Sequence, residues 1–90
     1  MIITKEILSE ATRLVGADRQ KDYGDKVETH NNIAKLWSAY LDIKIEAHDV
    51  AIMMTLLKVA RTKLGAVSKD TYIDMSAYRA IAGEIKWRKK

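Results

Sequence analysis

Eight consecutive residues, Asp18–Asp25 (DRQKDYGD), hold the densest set of groups able to handle a phosphorylated ligand. Arg19 and Lys21 can donate to phosphate oxygens, arginine through a planar fork and lysine as a point charge. Tyr23 offers a flat ring for a base, or a hydroxyl for a phosphate or ribose. Gly24 stands next to a helix start, where a ligand could approach the free backbone donors of the first turn. Arg19, Lys21, Asp22, Tyr23 and Gly24 therefore form the first set of candidate ligand-binding residues. The same stretch also reads as a solvated connection in which Gly24 turns the chain and Asp25 caps a helix.

A second set consists of polar residues placed where apolar periodicity puts the interior. His30 extends the apolar stripe of the second helix, Arg61 lies on the Met54–Leu57–Leu64 face of the third, and Asp74 precedes Tyr78 and Ile81 by one and two turns on the fourth. Buried charge is costly unless paired, so such groups meet one another or a ligand. One reading is an Arg61–Asp74 ion pair inside the bundle; the other is a ligand pocket lined by His30, Lys58, Arg61 and Asp74. A third set is acidic. Glu46 and Asp49 are three apart and Asp70 and Asp74 four apart, so each pair can share a helical face and contribute to a divalent-metal site. Glu46, Asp49 and Asp70 also fall in first turns, where acids complement the helix dipole without any metal.

The elements that position these groups are helices. Thr4 can cap a first helix over about 5–16, with Ile7, Leu8, Ala11, Leu14 and Val15 on one stripe and Gly16 as its stop. Asp25 and Glu28 read as a capping box for a second helix over about 26–41, striped by Ile33, Leu36, Trp37, Tyr40 and Leu41. A third helix, about 48–64, is apolar round most of its circumference, leaving Thr55, Lys58 and Thr62 as a narrow polar strip with Arg61 beside it. Such a helix is surrounded by protein, as the central element or as half of a subunit interface. Ser68 caps a fourth helix, about 69–88, with Ile73, Ala77, Ala80, Ile81 and Ile85 facing inwards. The expected fold is all-α, a four-helix bundle-like single domain over residues 1–90 with a central, nearly all-apolar third helix.

Bulk properties fit that picture. A chain of 90 residues buries only about 60–65% of the surface its unfolded form exposes. Without cysteine, neither a disulfide nor a thiolate metal site can add stability, which leaves homo-oligomerisation as the common aid. Proline is absent, freeing long stretches for helix. The start MIITKEILSE lacks the pattern of a secretory signal, and no apolar run is long enough to cross a membrane, so a cytoplasmic location in a bacterial host cell is expected. The net charge of +4 suits an anionic partner. Much of it sits in Lys86-Trp87-Arg88-Lys89-Lys90, where cations serve a helix C-terminus, so nucleic acid is not the expected partner. There is no Gly-x-Ser-x-Gly elbow and no P-loop, and the third helix is too apolar for a recognition helix in a DNA groove.

The blocks DRQKDYGD, NIAKLWSAYL, DVAIMMTLLKVAR and DTYIDMSAYRAIAGE, in that order, resemble a family of small phage and prophage proteins known only as a domain of unknown function, over about Ile7 to Glu84. More loosely, the layout is similar to the MazG-like all-α nucleoside-triphosphate pyrophosphohydrolases, through Asp22-Tyr23-Gly24 and through Asp70, Asp74 and Tyr78. That resemblance implies an oligomeric helical bundle holding a nucleotide by its phosphates. The catalytic superfamily places two acid pairs on neighbouring helices to hold magnesium. Glu46-x-x-Asp49 matches one pair, but Glu28 is followed three positions on by Asn31, so the other is incomplete.

Three functions follow. The first is a binder of a phosphorylated nucleotide-like ligand without turnover, with no catalytic residue and no cofactor, able to sequester a host-defence signal. The second is a Mg²⁺-dependent pyrophosphohydrolase using Glu46, Asp49, Asp70 and Asp74. The third is a protein–protein module acting through the third helix.

Overall fold

In the computed structural model, residues 3–16, 25–63 and 68–88 are described. Among them the chain forms four helices and no strand: α1 (Ile3–Val15), α2 (Lys26–Leu41), α3 (Ala47–Arg61) and α4 (Lys69–Trp87). The all-α, four-helix architecture expected from periodicity is the one observed. None of these helices is long and apolar enough to cross a membrane.

Local chemistry sets the helix ends. Asp25 is the N-cap of α2, its Oδ2 accepting from the Glu28 amide at 3.1 Å, which satisfies a donor that the first turn otherwise leaves orphaned. Helix α2 stops where Asp42 takes a left-handed conformation, φ 56°. Ser38 then closes the connection from both sides: its hydroxyl donates to the Ile45 carbonyl at 3.1 Å and accepts from the Ile45 amide at 2.8 Å. At the start of α3, Asp49 Oδ2 accepts from the Glu46 amide at 2.9 Å in a capping box. Helix α3 ends at Arg61, short of the expected 64, because Thr62 and Lys63 donate three residues back, to Val59 and Ala60, tightening the last turn. The glycine stop expected at Gly65 and the inward Leu64 lie outside the described residues.

Helix α4 packs against both α1 and α3, and α3 lies between α4 and α2. Helix α1 runs parallel to α4. Glu6 pairs with Lys69 at 2.9 Å, Ala11 packs with Ile73 and Ala77, and Val15 reaches the cluster around Ile81. Helix α3 runs antiparallel, setting Ala51 against Ile81 and Ala82.

The core is made of small side chains. Its apolar members are five alanines from α1, α2, α3 and the first part of α4's face (Ala11, Ala34, Ala47, Ala51, Ala77), Ala82, and Val50, Ile73 and Ile81. Alanines let helix axes approach closely, but they remove little apolar surface from water. Many large residues stay outside. On α2, Leu36, Tyr40 and Leu41, expected on the inward stripe, are 70%, 89% and 48% exposed, because His30 and Ala34 define the buried face and Leu36 and Tyr40 lie well round the helix from them. Leu8 and Ala80 are likewise exposed rather than inward. The radius of gyration is 14.0 Å, against about 12 Å for a compact chain of this length.

Helix α3 is inside out relative to its composition. Its polar strip faces the protein: Thr55 is buried and donates to the Ala51 carbonyl, and Lys58 is half-buried. Ile52, Met53, Leu56, Leu57 and Val59 are exposed.

Candidate functional site

Two polar regions stand out among the described residues, one in the seam between helices and one in an open groove. In the seam, Lys58 of α3 and Asp74 of α4 form an ion pair at 3.1 Å, with 14% and 34% of their side chains exposed. The register that sets Ala51 against Ile81 and Ala82 brings Lys58 opposite Asp74 two turns further along α3. One turn after Asp74, Tyr78 faces His30 of α2, with ring centroids 6.4 Å apart. His30 is buried. Its Nδ1 lies 2.8 Å from the Lys26 carbonyl, so the ring donates there and leaves Nε2 as an acceptor. That Nε2 is enclosed and has no hydrogen-bond partner among the described residues. A buried polar atom without a partner is unusual enough to mark the spot.

The expected ligand residues thus separate. His30, Asp74 and Lys58 are strung along one side of α4 through Tyr78. Arg61 is exposed and is not the partner of Asp74: Lys58, three residues earlier, takes that place in the antiparallel register. Arg19, Lys21, Asp22, Tyr23 and Gly24 lie outside the described residues. The flanks of that stretch are in place, however. Val15 packs into the Ile81 cluster, while Asp25 meets Arg88 at 3.3 Å. Arg88 also pairs with Glu84, which Lys26 approaches at 3.3 Å. The Arg88 hydrogen bond, with help from Lys26, holds the Glu84 carboxyl below its ordinary value against the opposing effect of burial. Both flanks therefore dock on the C-terminal half of α4.

The acidic set does not converge. Asp49 serves the α3 capping box and Glu46 is the N-cap. Asp70 is exposed in the first turn of α4, and Asp74 is committed to Lys58. No group of three or more His, Cys, Asp or Glu that could hold a metal ion occurs among the described residues.

The groove lies at the other end of α3. It encloses about 760 Å³ between one face of α2 (Asn31, Ala34, Lys35, Ser38), the connection and start of α3 (Lys44 to His48) and the end of α4 (Ile85, Lys86). Three lysines, Lys35, Lys44 and Lys86, face one glutamate, Glu46, which lies 4.0 Å from Lys44. Ser38 is occupied in closing the connection, and Asn31 and His48 add polar side chains to the wall. Glu46 and His48 bracket the N-terminus of α3, where the capping box of Glu46 and Asp49 engages the first-turn amides. Sequence reasoning missed this groove. Lys86 reads as one of the tail's helix-end cations, and nothing in the sequence singles out Lys35. The available signal was Lys44, a cation two residues before a helix cap.

Comparison with known proteins gives a consistent picture. Two phage proteins, each called Gene 55 protein, align over 76 residues. The one from Mycobacterium phage L5 is 40% identical, covering 83% of this chain and 49% of its own length. The one from Mycobacterium phage D29 is 41% identical, covering 84% of this chain and 50% of its own length. The chain therefore spans about half the length of these curated relatives. No solved structure matches it significantly. The model of a family described as a domain of unknown function, DUF6378, matches residues 6–86. That span takes in nearly all of the four helices, the alanine-lined core and the polar seam of Lys58, Asp74, Tyr78 and His30, and the chain belongs to the DUF6378 family.

Proposed function

We propose that this chain binds a phosphorylated small molecule, of the size and charge of a nucleotide, and holds it without turnover. The observation that carries the reading is the groove between α2, α3 and α4, where three lysines oppose one glutamate beside a helix N-terminus. Lysines supply charge to phosphates with little demand on geometry, and Asn31 and His48 add directional donors. A groove of about 760 Å³ is in the range of small-molecule sites. The flanks of the DRQKDYGD stretch dock on the C-terminal half of α4, which also contributes Ile85 and Lys86 to the groove.

Binding is favoured over hydrolysis because the acids are otherwise engaged. Asp49 is turned to the Glu46 amide and Asp74 to Lys58, so the Glu46, Asp49, Asp70 and Asp74 set of a MazG-like magnesium site is not assembled. A binder of this kind, in a family with phage members, suits sequestration of a nucleotide signal made by the host.

The test is calorimetric titration with inorganic pyrophosphate and with a nucleoside triphosphate, with and without Mg²⁺. Stoichiometric binding that persists in chelator and is lost in Lys44→Glu/Lys86→Glu, with the triphosphate recovered intact, is the expected result. Pyrophosphate release, or binding unaffected by the double reversal, would overturn it.

A further inference from the structure

The exposed face of α3 has the symmetry of a contact with a second copy of itself. At 100° per residue, Asp49, Ile52, Met53, Leu56, Val59 and Ala60 fall within one sector centred on Leu56, and Lys63 follows in the tightened turn just past the helix end. All seven are exposed, Leu56 at 59%. The five apolar residues run along the middle of the sector, and the two charged ones stand at its ends with opposite signs. Ile52 and Ala60 are equidistant from Leu56 along the helix, as are Met53 and Val59, and Asp49 and Lys63 are equally spaced from it in sequence.

From this the geometry points to an isologous homodimer in which α3 packs antiparallel against α3 of a second copy, with the two-fold axis passing at Leu56. Antiparallel docking puts Asp49 of each subunit beside Lys63 of its partner at both ends, and Ile52 against the partner's Ala60. A parallel arrangement would oppose Asp49 to Asp49 and Lys63 to Lys63, so the charges choose the direction. Self-complementarity of this kind is what a two-fold contact requires. The inverted burial of α3 supplies the reason: with Thr55 and Lys58 turned inwards, the helix leaves its apolar side for another molecule. A single helix face is smaller than a standard interface of about 800 Å² per partner, so the dimer dissociates on dilution. This surface is distinct from the groove, and the two readings fail independently.

Sedimentation equilibrium from low micromolar to several hundred micromolar tests it. The wild-type chain passes from monomer to dimer over that range. Leu56→Asp, which places two carboxylates at the axis, weakens association roughly a hundredfold or more while leaving the helical circular-dichroism signal unchanged, since the side chain is exposed in the monomer. Because the protein has no cysteine, a short thiol cross-linker reports direction without interference. A mixture of Ile52→Cys and Ala60→Cys gives mainly the mixed dimer. A wild-type chain that stays monomeric throughout, preferential linking of Ile52→Cys to itself, or dimers unaffected by Leu56→Asp would each overturn the proposal.

Discussion

Removing Asp74 leaves Lys58 with its charge in a seam where only 14% of its side chain meets solvent. At 3.1 Å and an effective dielectric of about 20, the attraction in the intact pair is on the order of 5 kcal/mol before desolvation is counted. Most of that is offset by taking the charges from water. What a variant reveals is the charge left behind. Fully buried pairs cost about 3–5 kcal/mol when one partner is removed, and exposed pairs contribute at most about 1 kcal/mol. Lys58–Asp74 lies between these limits, so Asp74→Leu should cost about 2 kcal/mol. Lys58→Met should cost about half as much, because Asp74 is the more exposed partner and can rehydrate. The double variant should return to within about 1 kcal/mol of wild type, since an apolar pair of similar volume replaces the ions. For a domain of this size, a loss of about 2 kcal/mol lowers Tm by roughly 8–16 °C. Thermal melts followed by circular dichroism at one fixed protein concentration give all four corners of the cycle. Equal, additive losses in the two single variants would refute the reasoning, because the pair would then not be holding α3 against α4 as a unit.

Other expectations follow from single features. Gly83 is exposed within α4, and a Cβ there would meet nothing within 4 Å, so Gly83→Ala should stabilise the fold by about 0.5–1 kcal/mol in denaturant melts. Glu84 has its folded-state pKa lowered, chiefly by Arg88, from an ordinary 4.5. A depressed carboxylate contributes stability that is present above the unfolded value and lost as pH falls through the folded one. Glu84→Gln should therefore flatten the acid limb of the stability curve below that ordinary value, measured by denaturant midpoints at stepped pH. His30 Nε2 sits in an enclosed site without a partner among the described residues. His30→Phe should retain the fold with a Tm near or above wild type if that atom serves no structural bond.

The four helices, and the starts of α2 and α4, were readable because capping residues and apolar periodicity agree there, whereas α1 begins before the expected Thr4 cap and α3 ends before 64. Asp25 before α2 and Ser68 before α4 mark starts that the structure keeps. Which face each helix buries was less readable. Periodicity ranks residues by hydrophobicity, so it turned Leu36 and Tyr40 inwards, whereas close packing selected Ala34 and His30. On α3 the same logic had little to work with, since nearly every direction is apolar. The ion pair with Asp74 and the fit of Ala51 against Ala82 and Ile81 fixed the rotation instead, and both depend on residues from another helix. His30 and Asp74 were legible as interior polar groups, each standing among apolar positions. The basic groove was not, because its lysines come from three separate elements and converge only through the fold.

The central claim, that this fold retains a phosphorylated ligand intact, is tested most directly by native mass spectrometry of the protein purified from cells, before and after denaturation. The account expects a bound mass that contains phosphorus, departs on denaturation as an intact molecule, and is absent from Lys44→Glu/Lys86→Glu prepared in the same way. A wild-type protein that carries no such mass, or one that releases a cleaved product, would contradict it.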